Sequence, residues 1–268
     1  MAATLPLLTR AQGARVKHLL QDKHIRSKER TFVVEGAKAV YDLLALHPNQ
    51  ILCLVATPEY VKREDESSRR LRQRLAIPQY SCPDLAFSKL SDLESPQGIL
   101  ALVRQPSWDE NEILKRPILL GIYGEQLQDP ANVGAIIRTA AALDAGALWL
   151  TPDSADVYSP KVVRSTSGLL LAVPIFVTKD VSGLIKAGCQ IYAAEVAGGD
   201  AVPILHIRQR PRKLVLAVGN EGRGLCASTS KVASKRFTIP LARQVESLNV
   251  AATVAIATFY FGQLPHVE

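Results

Sequence analysis

The sequence predicts an α/β protein: a carboxyl-terminal domain built on a mostly parallel sheet, preceded by a smaller α/β domain. Three observations predict it. Short apolar runs alternate with helical segments along most of the 268 residues, the pattern of strands covered by helices on both faces. The alternation lapses once, at residues 105–116, where Pro106, Trp108 and a Lys115-Arg116-Pro117 run mark a linker. Beyond it, the alternation restarts with stronger strands. The predicted division is therefore 1–104, a linker at 105–116, and 117–268, and the length suffices for two buried cores.

Taken in order, residues 31–34 read as a short buried strand and 36–46 as a helix. Residues 51–56 read as a strand, 58–75 as one charged helix, and 99–103 as the last strand before the linker. Strands are then predicted at 118–123, 147–150, 175–178, 190–194 and 213–218. Asp129-Pro130 is the best helix start, an acid at the cap followed by proline in the first turn, leading into an alanine-rich stretch to Asp144. A short strand ends near Pro240. The apolar run 248–261, interrupted by Asn249, Thr253 and Thr258, is too short and polar to span a bilayer and reads as a buried helix.

Lys and Arg number 32 against 25 Asp and Glu, a net charge of +7 that leans toward a polyanionic partner without singling one out. Seven Lys or Arg against two acids lie between Arg10 and Arg30, with His18 and His24. A solvated helix face or a phosphate-binding patch would both look like this. Arg208, Arg210, Arg212 and Lys213 form a second basic cluster. Cys53, Cys82, Cys189 and Cys226 are scattered, without a CxxC pair or a histidine at ligand spacing. No metal site or disulfide framework is expected, and a reducing cytoplasm is the expected compartment. The amino terminus lacks the apolar stretch of a signal peptide.

Ligands of parallel α/β sheets bind in loops beyond the carboxyl ends of the strands, and three such loops stand out. The first, Asp129 to Ala140, places Asn132 and Gly134 in the opening turn of a helix, where free amides attract anions, and Arg138 one turn after Gly134. A plain capped helix with a surface arginine has the same appearance. The second, Gly219-Asn220-Glu221-Gly222-Arg223-Gly224, follows an apolar strand. Its GxxGxG spacing is not the dinucleotide fingerprint, and it has no Walker lysine. The third, Ile239 to Val250, leads into the final helix with Ser247 and Asn249 at its entrance. Such polar groups need partners, from capping or a ligand; capping accounts for Ser247 more readily than for Asn249.

Together the three loops resemble the SpoU family (TrmH-type) of RNA 2′-O-ribose methyltransferases. Its N-x-G-x-x-x-R-T-A, G-x-E-x-x-G-L and I-P-x(n)-S-L-N-V segments appear here in order as Asn132 to Ala140, Gly219 to Leu225 and Ile239 to Val250. Phe32-Val33-Val34-Glu35-Gly36 and Ser95-Pro96-Gln97-Gly98-Ile99 resemble the family's accessory substrate-binding domain. One position departs: the third segment often carries glycine where this chain has Arg243.

The resemblance implies a carboxyl-terminal domain closed by a deep trefoil knot (the SPOUT type), an amino-terminal RNA-binding domain, and homodimers with sites near the interface. Pattern reading alone gives an unknotted sheet. The implied cofactor is S-adenosylmethionine, held at Gly219, Ile239 and Leu248. The implied catalytic set is Arg138, Asn132, Glu221, Ser247 and Asn249, with Arg138 facing the substrate. Because a guanidinium almost never gives up its proton, an electrostatic role on phosphate and alkoxide suits Arg138 better than that of a base. The appended front domain points to ribosomal rather than transfer RNA. A transfer-RNA enzyme, a non-catalytic RNA-binding relative and a nicotinamide enzyme are the competing readings; the missing fingerprint counts against the last.

Overall fold

The computed structural model describes residues 5–196, 200–242 and 245–267. The chain divides into two compact units: residues 1–107 with 156–171, and residues 108–155 with 172–268. The first unit opens with helices α1 (Arg10–Gln21) and α2 (Lys23–Glu29). Thr9 starts α1 with a capping box, its side chain taking the Gln12 amide while Gln12 reaches back to the Thr9 amide. Val16, Leu19 and Leu20 form the buried stripe of α1.

Strands β1 (Thr31–Glu35), β2 (Ile51–Ala56), β3 (Gln79–Ser81) and β4 (Ile99–Arg104) make a sheet in the order β1-β4-β2-β3. Strand β4 runs antiparallel to β1 and β2, and β3 parallel to β2. Helices α3 (Ala37–Leu46), α4 (Pro58–Arg63), α5 (Glu66–Arg74) and α6 (Asp84–Leu90) complete this part. The stretch 58–75, expected as one helix, is two. Asp65 caps α5 by accepting the Ser68 amide, which commits the backbone there to an extended conformation.

The second unit starts with α7 (Glu110–Leu114), a helix inside the stretch read as a linker, started by Asp109 accepting two amides. Strand β5 (Leu119–Gly124) leads to α8 (Pro130–Ala142), which begins as expected from Asp129 and Pro130, and to β6 (Ala147–Leu150). The chain then returns to the first unit. Residues 156–171 belong there, with α9 (Pro160–Ser165) packed on β1, Val162 and Val163 buried, and Tyr158 5.1 Å from the Phe32 ring. No periodicity in the sequence marks this exchange.

The remainder supplies β7 (Ile175–Val177), α10 (Ser182–Lys186), β8 (Gln190–Ala194), β9 (Val202–Pro203), β10 (Lys213–Val218), α11 (Ala227–Val232), β11 (Lys235–Thr238) and α12 (Val250–Gly262). The seven strands pair in the order β7-β6-β5-β10-β8-β11-β9, all parallel. Buried on both faces, the central strands β5 and β10 are apolar nearly throughout. Phe261 of α12 meets Phe237 and Tyr192 edge-on, sealing one face. No helix among the described residues is long and apolar enough to cross a membrane.

Candidate active site

Because the strands are parallel, the segments after β5, β10 and β11 emerge along the same carboxyl edge, with β5 and β10 adjacent. These are the three loops singled out in the sequence. The loop after β10 closes on itself: Asn220 and Gly224 exchange backbone hydrogen bonds of 3.0 and 2.8 Å. A side chain on Gly219 would stand 2.1 Å from the Gly224 carbonyl carbon, and Gly224 adopts a φ of +71°. Both glycines are therefore required by the turn. The Asn220 side chain fills the loop, accepting the Gly222 and Arg223 amides and donating to the Gln126 carbonyl after β5.

One buried side-chain amide joins all three loops. Asn132 Nδ2 donates to Glu221 Oε1 at 2.9 Å, and Asn249 Nδ2 donates to Asn132 Oδ1 at 2.9 Å. The chemistry fixes every amide orientation. A carboxylate only accepts, so the Asn132 amino group must face Glu221 and its oxygen Asn249. The oxygen of Asn249 then caps α12, accepting the Ala251 and Ala252 amides. Capping was the expected role of Ser247; the structure gives it to Asn249, because only the residue directly before the first helical turn can reach those amides.

Glu125, which the sequence reading missed, provides a second junction. Its carboxylate is 6% exposed and accepts the Cys226 amide at 2.7 Å, the Thr229 hydroxyl at 2.7 Å, the Cys226 thiol at 3.0 Å and the Tyr123 hydroxyl at 3.3 Å. Its own amide donates to Val218 at the end of β10. It therefore fixes where the glycine loop leaves β10 and where α11 begins. Burial, with the carboxylate beside it, pushes the Tyr123 hydroxyl pKa well above its ordinary value.

The structure thus brings together Asn132, Glu221 and Asn249. Arg138 lies six residues after Asn132 on α8, about 120° round the helix, on its exposed side. Ser247 is exposed, and Ile239 and Leu248 are half-buried. The main chain of Ser247 and Leu248 makes no hydrogen bond to another described residue, leaving donors and acceptors open to a ligand beside the glycine loop. Arg243 lies outside the described residues. Among the described residues, no group of three His, Cys, Asp or Glu side chains is placed to hold a metal ion.

The two basic clusters are partly structural. Arg26 is buried, pairs with Asp156 at 2.7 and 2.9 Å, and donates to the Leu19 and Leu20 carbonyls. It cannot serve as a phosphate contact, and Arg15 is paired with Glu29. Lys213 donates to the Leu114 and Ala187 carbonyls, and Arg210 is buried. Net charge counts such residues as though they faced solvent.

Comparison with known proteins agrees with this geometry. Residues 14–101 match the MRM3-like substrate binding domain, and residues 120–259 match the SpoU rRNA Methylase family. The 23S rRNA (guanosine(2553)-2′-O)-methyltransferase RlmP of Bacillus subtilis (strain 168) is 31% identical over 247 residues, covering 90% of this chain and 92% of the relative. The 23S rRNA (uridine(2479)-2′-O)-methyltransferase of Streptomyces viridochromogenes is 29% identical over 255 residues, covering 90% and 85%. The AdoMet-bound rRNA methyltransferase from Sinorhizobium meliloti superposes with a TM-score of 0.80 at 27% identity, over 96% of each chain. With the family match spanning all three joined loops, the chain belongs to the SpoU rRNA methylase family.

Proposed function

We propose that this protein methylates a ribose 2′-hydroxyl of ribosomal RNA, using S-adenosylmethionine. The observation that carries the reading is the Asn132 amide, which joins the three family segments into one site at the carboxyl edge of the sheet. The activities named for the relatives support it, as does the cofactor named for the S. meliloti structure. The residues present fit that cofactor: the glycine loop permits close backbone approach, and the Ser247 and Leu248 main chain makes no hydrogen bond to another described residue. Gly219, Ile239 and Leu248 would hold it, and it would supply an activated methyl group.

The protein's task is then to position the hydroxyl and stabilise the charge that develops as its proton leaves. Arg138, exposed on α8, grips the neighbouring phosphate and stabilises the alkoxide. Asn132, Glu221 and Asn249 hold the loops in register, and Ser247 orients the ribose. Arg138→Ala should lower the single-turnover rate by about 10²–10³, the usual loss for one charge-assisted contact at a developing anion, with S-adenosylmethionine affinity nearly unchanged. A near-normal rate would remove Arg138 from the mechanism. Mapping ribose methylation across cellular RNA with and without the gene tests the substrate class; a lost site in transfer RNA alone would overturn the ribosomal assignment.

The same reading includes a homodimer, supported by Ile256 and Phe259 exposed on the outer face of α12. It includes a knotted carboxyl-terminal domain, supported by the family match. The cytoplasm as working compartment is supported by four cysteines, none in a disulfide.

A further inference from the structure

At the opposite, amino-terminal edge of the seven-stranded sheet lies a cleft of about 560 Å³. It is bordered by Leu119 and Leu120 at the start of β5, Gly146 before β6, Pro174 before β7 and Arg210 before β10. Three charged residues line it: Arg116, Asp144 and Arg210. Arg210 is 6% exposed, and no carboxylate among the described residues pairs with it. Its Nη1 makes a long 3.4 Å bond to the adjacent Pro211 carbonyl, and its Nε is buried with no hydrogen-bond partner among the described residues.

A buried guanidinium with an unsatisfied donor is costly, because charges leave water only when paired or hydrogen-bonded. Burial alone accordingly pushes the Arg210 pKa below its ordinary value. The carboxyl ends of α8 and α12 border the cleft, at Leu143 and Gly262. Their dipoles favour a cation there, yet they accept nothing from Nε. Arg116 reaches the same cleft: a side-chain carbon on Gly146 would stand 3.8 Å from Arg116 Nη1. The side chains of the lining carry two positive charges and one negative, and the partial negative charge of the two helix ends is set against that surplus. Trp108, 37% exposed, lines the same cleft and offers a ring for a base to stack on.

We infer that this cleft binds a phosphodiester group of RNA, with Arg210 and Arg116 on the phosphate and Trp108 against an adjoining base. The RNA source rests on the methyltransferase reading; the anion site stands on the cleft and Arg210. Since β5 has six residues at about 3.3 Å each, the two ends of the sheet are roughly 20 Å apart. The site is thus a separate grip on the substrate, not part of the reaction centre.

The test uses the full chain and Trp108 fluorescence, the other tryptophan, Trp149, being fully buried and bonded to Glu110. The dinucleoside monophosphate UpU should give a saturable change that inorganic phosphate competes away and that uridine does not produce. Arg210→Gln and Ala172→Glu should each weaken UpU at least tenfold. Ala172 lines the cleft from an exposed position, so its glutamate adds a repelling charge without disturbing the core, and it decides the matter if Arg210→Gln fails to fold. No saturable response to UpU, or equal affinity in Ala172→Glu and wild type, would overturn the proposal. Binding of inorganic phosphate without UpU would overturn RNA as its source. S-adenosylmethionine affinity, measured on the same samples, should be unchanged in Ala172→Glu; its absence from the wild type would defeat the methyltransferase reading without touching the UpU result.

Discussion

Arg72 in the first unit and Arg210 in the second are buried to the same depth, 4% and 6% exposed, yet their surroundings are opposite. Arg72 meets Glu64 side-on, Nε to Oε1 at 2.8 Å and Nη2 to Oε2 at 2.7 Å, while Tyr41 donates to the same carboxylate and Gln79 accepts from Nη1. The bond to Glu64 raises the Arg72 pKa. Burial would raise Glu64, but the hydrogen bonds from Arg72 and Tyr41 outweigh it and hold the carboxyl below its ordinary value. Arg210 has none of this. A guanidinium with a bidentate carboxylate is complete and structural, whereas one left with an unsatisfied donor lacks that complement. Burial alone distinguishes neither case; the partner does.

The largest effect that would break this comparison is at Glu64. Glu64→Ala leaves Arg72 buried and unpaired and should cost about 3–5 kcal/mol of stability, read as a lowered denaturation midpoint. A loss below about 1 kcal/mol would mean that the pair is less closed than it looks. Acid titration sharpens the same point. A carboxyl depressed in the folded state contributes stability that is full above its ordinary value of 4.5 and is lost as pH falls through the folded pKa. Wild type should therefore lose stability on acidification more steeply than Glu64→Gln below that value; parallel curves would contradict the assigned direction.

Smaller effects are expected elsewhere. Arg70 and Glu66 form an exposed pair at i, i+4, and Arg70→Ala should change stability by only about 0.3–0.5 kcal/mol, measured in the same denaturant series. Arg210→Met should cost least and can even stabilise, since it replaces an unmatched buried charge with an apolar chain of similar length. A penalty as large as that at Glu64 would show that Arg210 is as firmly partnered as Arg72.

The fold was legible where one local pattern was enough. Strands at 147–150, 190–194 and 213–218 have the bounds read from their apolar runs, and α8 starts where Asp129 and Pro130 signal it. The single helix read over 58–75 fails at Glu64 and Asp65, because composition favours a helix across a point where a side-chain cap ends one and starts another. Of the candidate site, Asn132, Glu221 and Asn249, which the structure joins, could be singled out beforehand because they stand in spaced segments. Glu125 was not, since one acid after a strand looks like any other until Cys226 and Thr229, some hundred residues later, are brought to it.

By itself, then, the sequence determined the class of fold, the parallel carboxyl-terminal sheet and the three segments that meet at its edge. Each of these follows from periodicity and spacing within a short stretch of chain. Only the tertiary structure decided which of the basic residues are free. Arg26 is matched by Asp156 across 130 positions, Arg72 by Glu64 across eight, and Arg210 by no acid among the described residues. It also decided that residues 156–171 pack with the first unit rather than the second. The physical reason is common to both. Charge pairing and burial depend on which side chains the fold brings together, across eight positions or a hundred and thirty, and no local pattern encodes that partner.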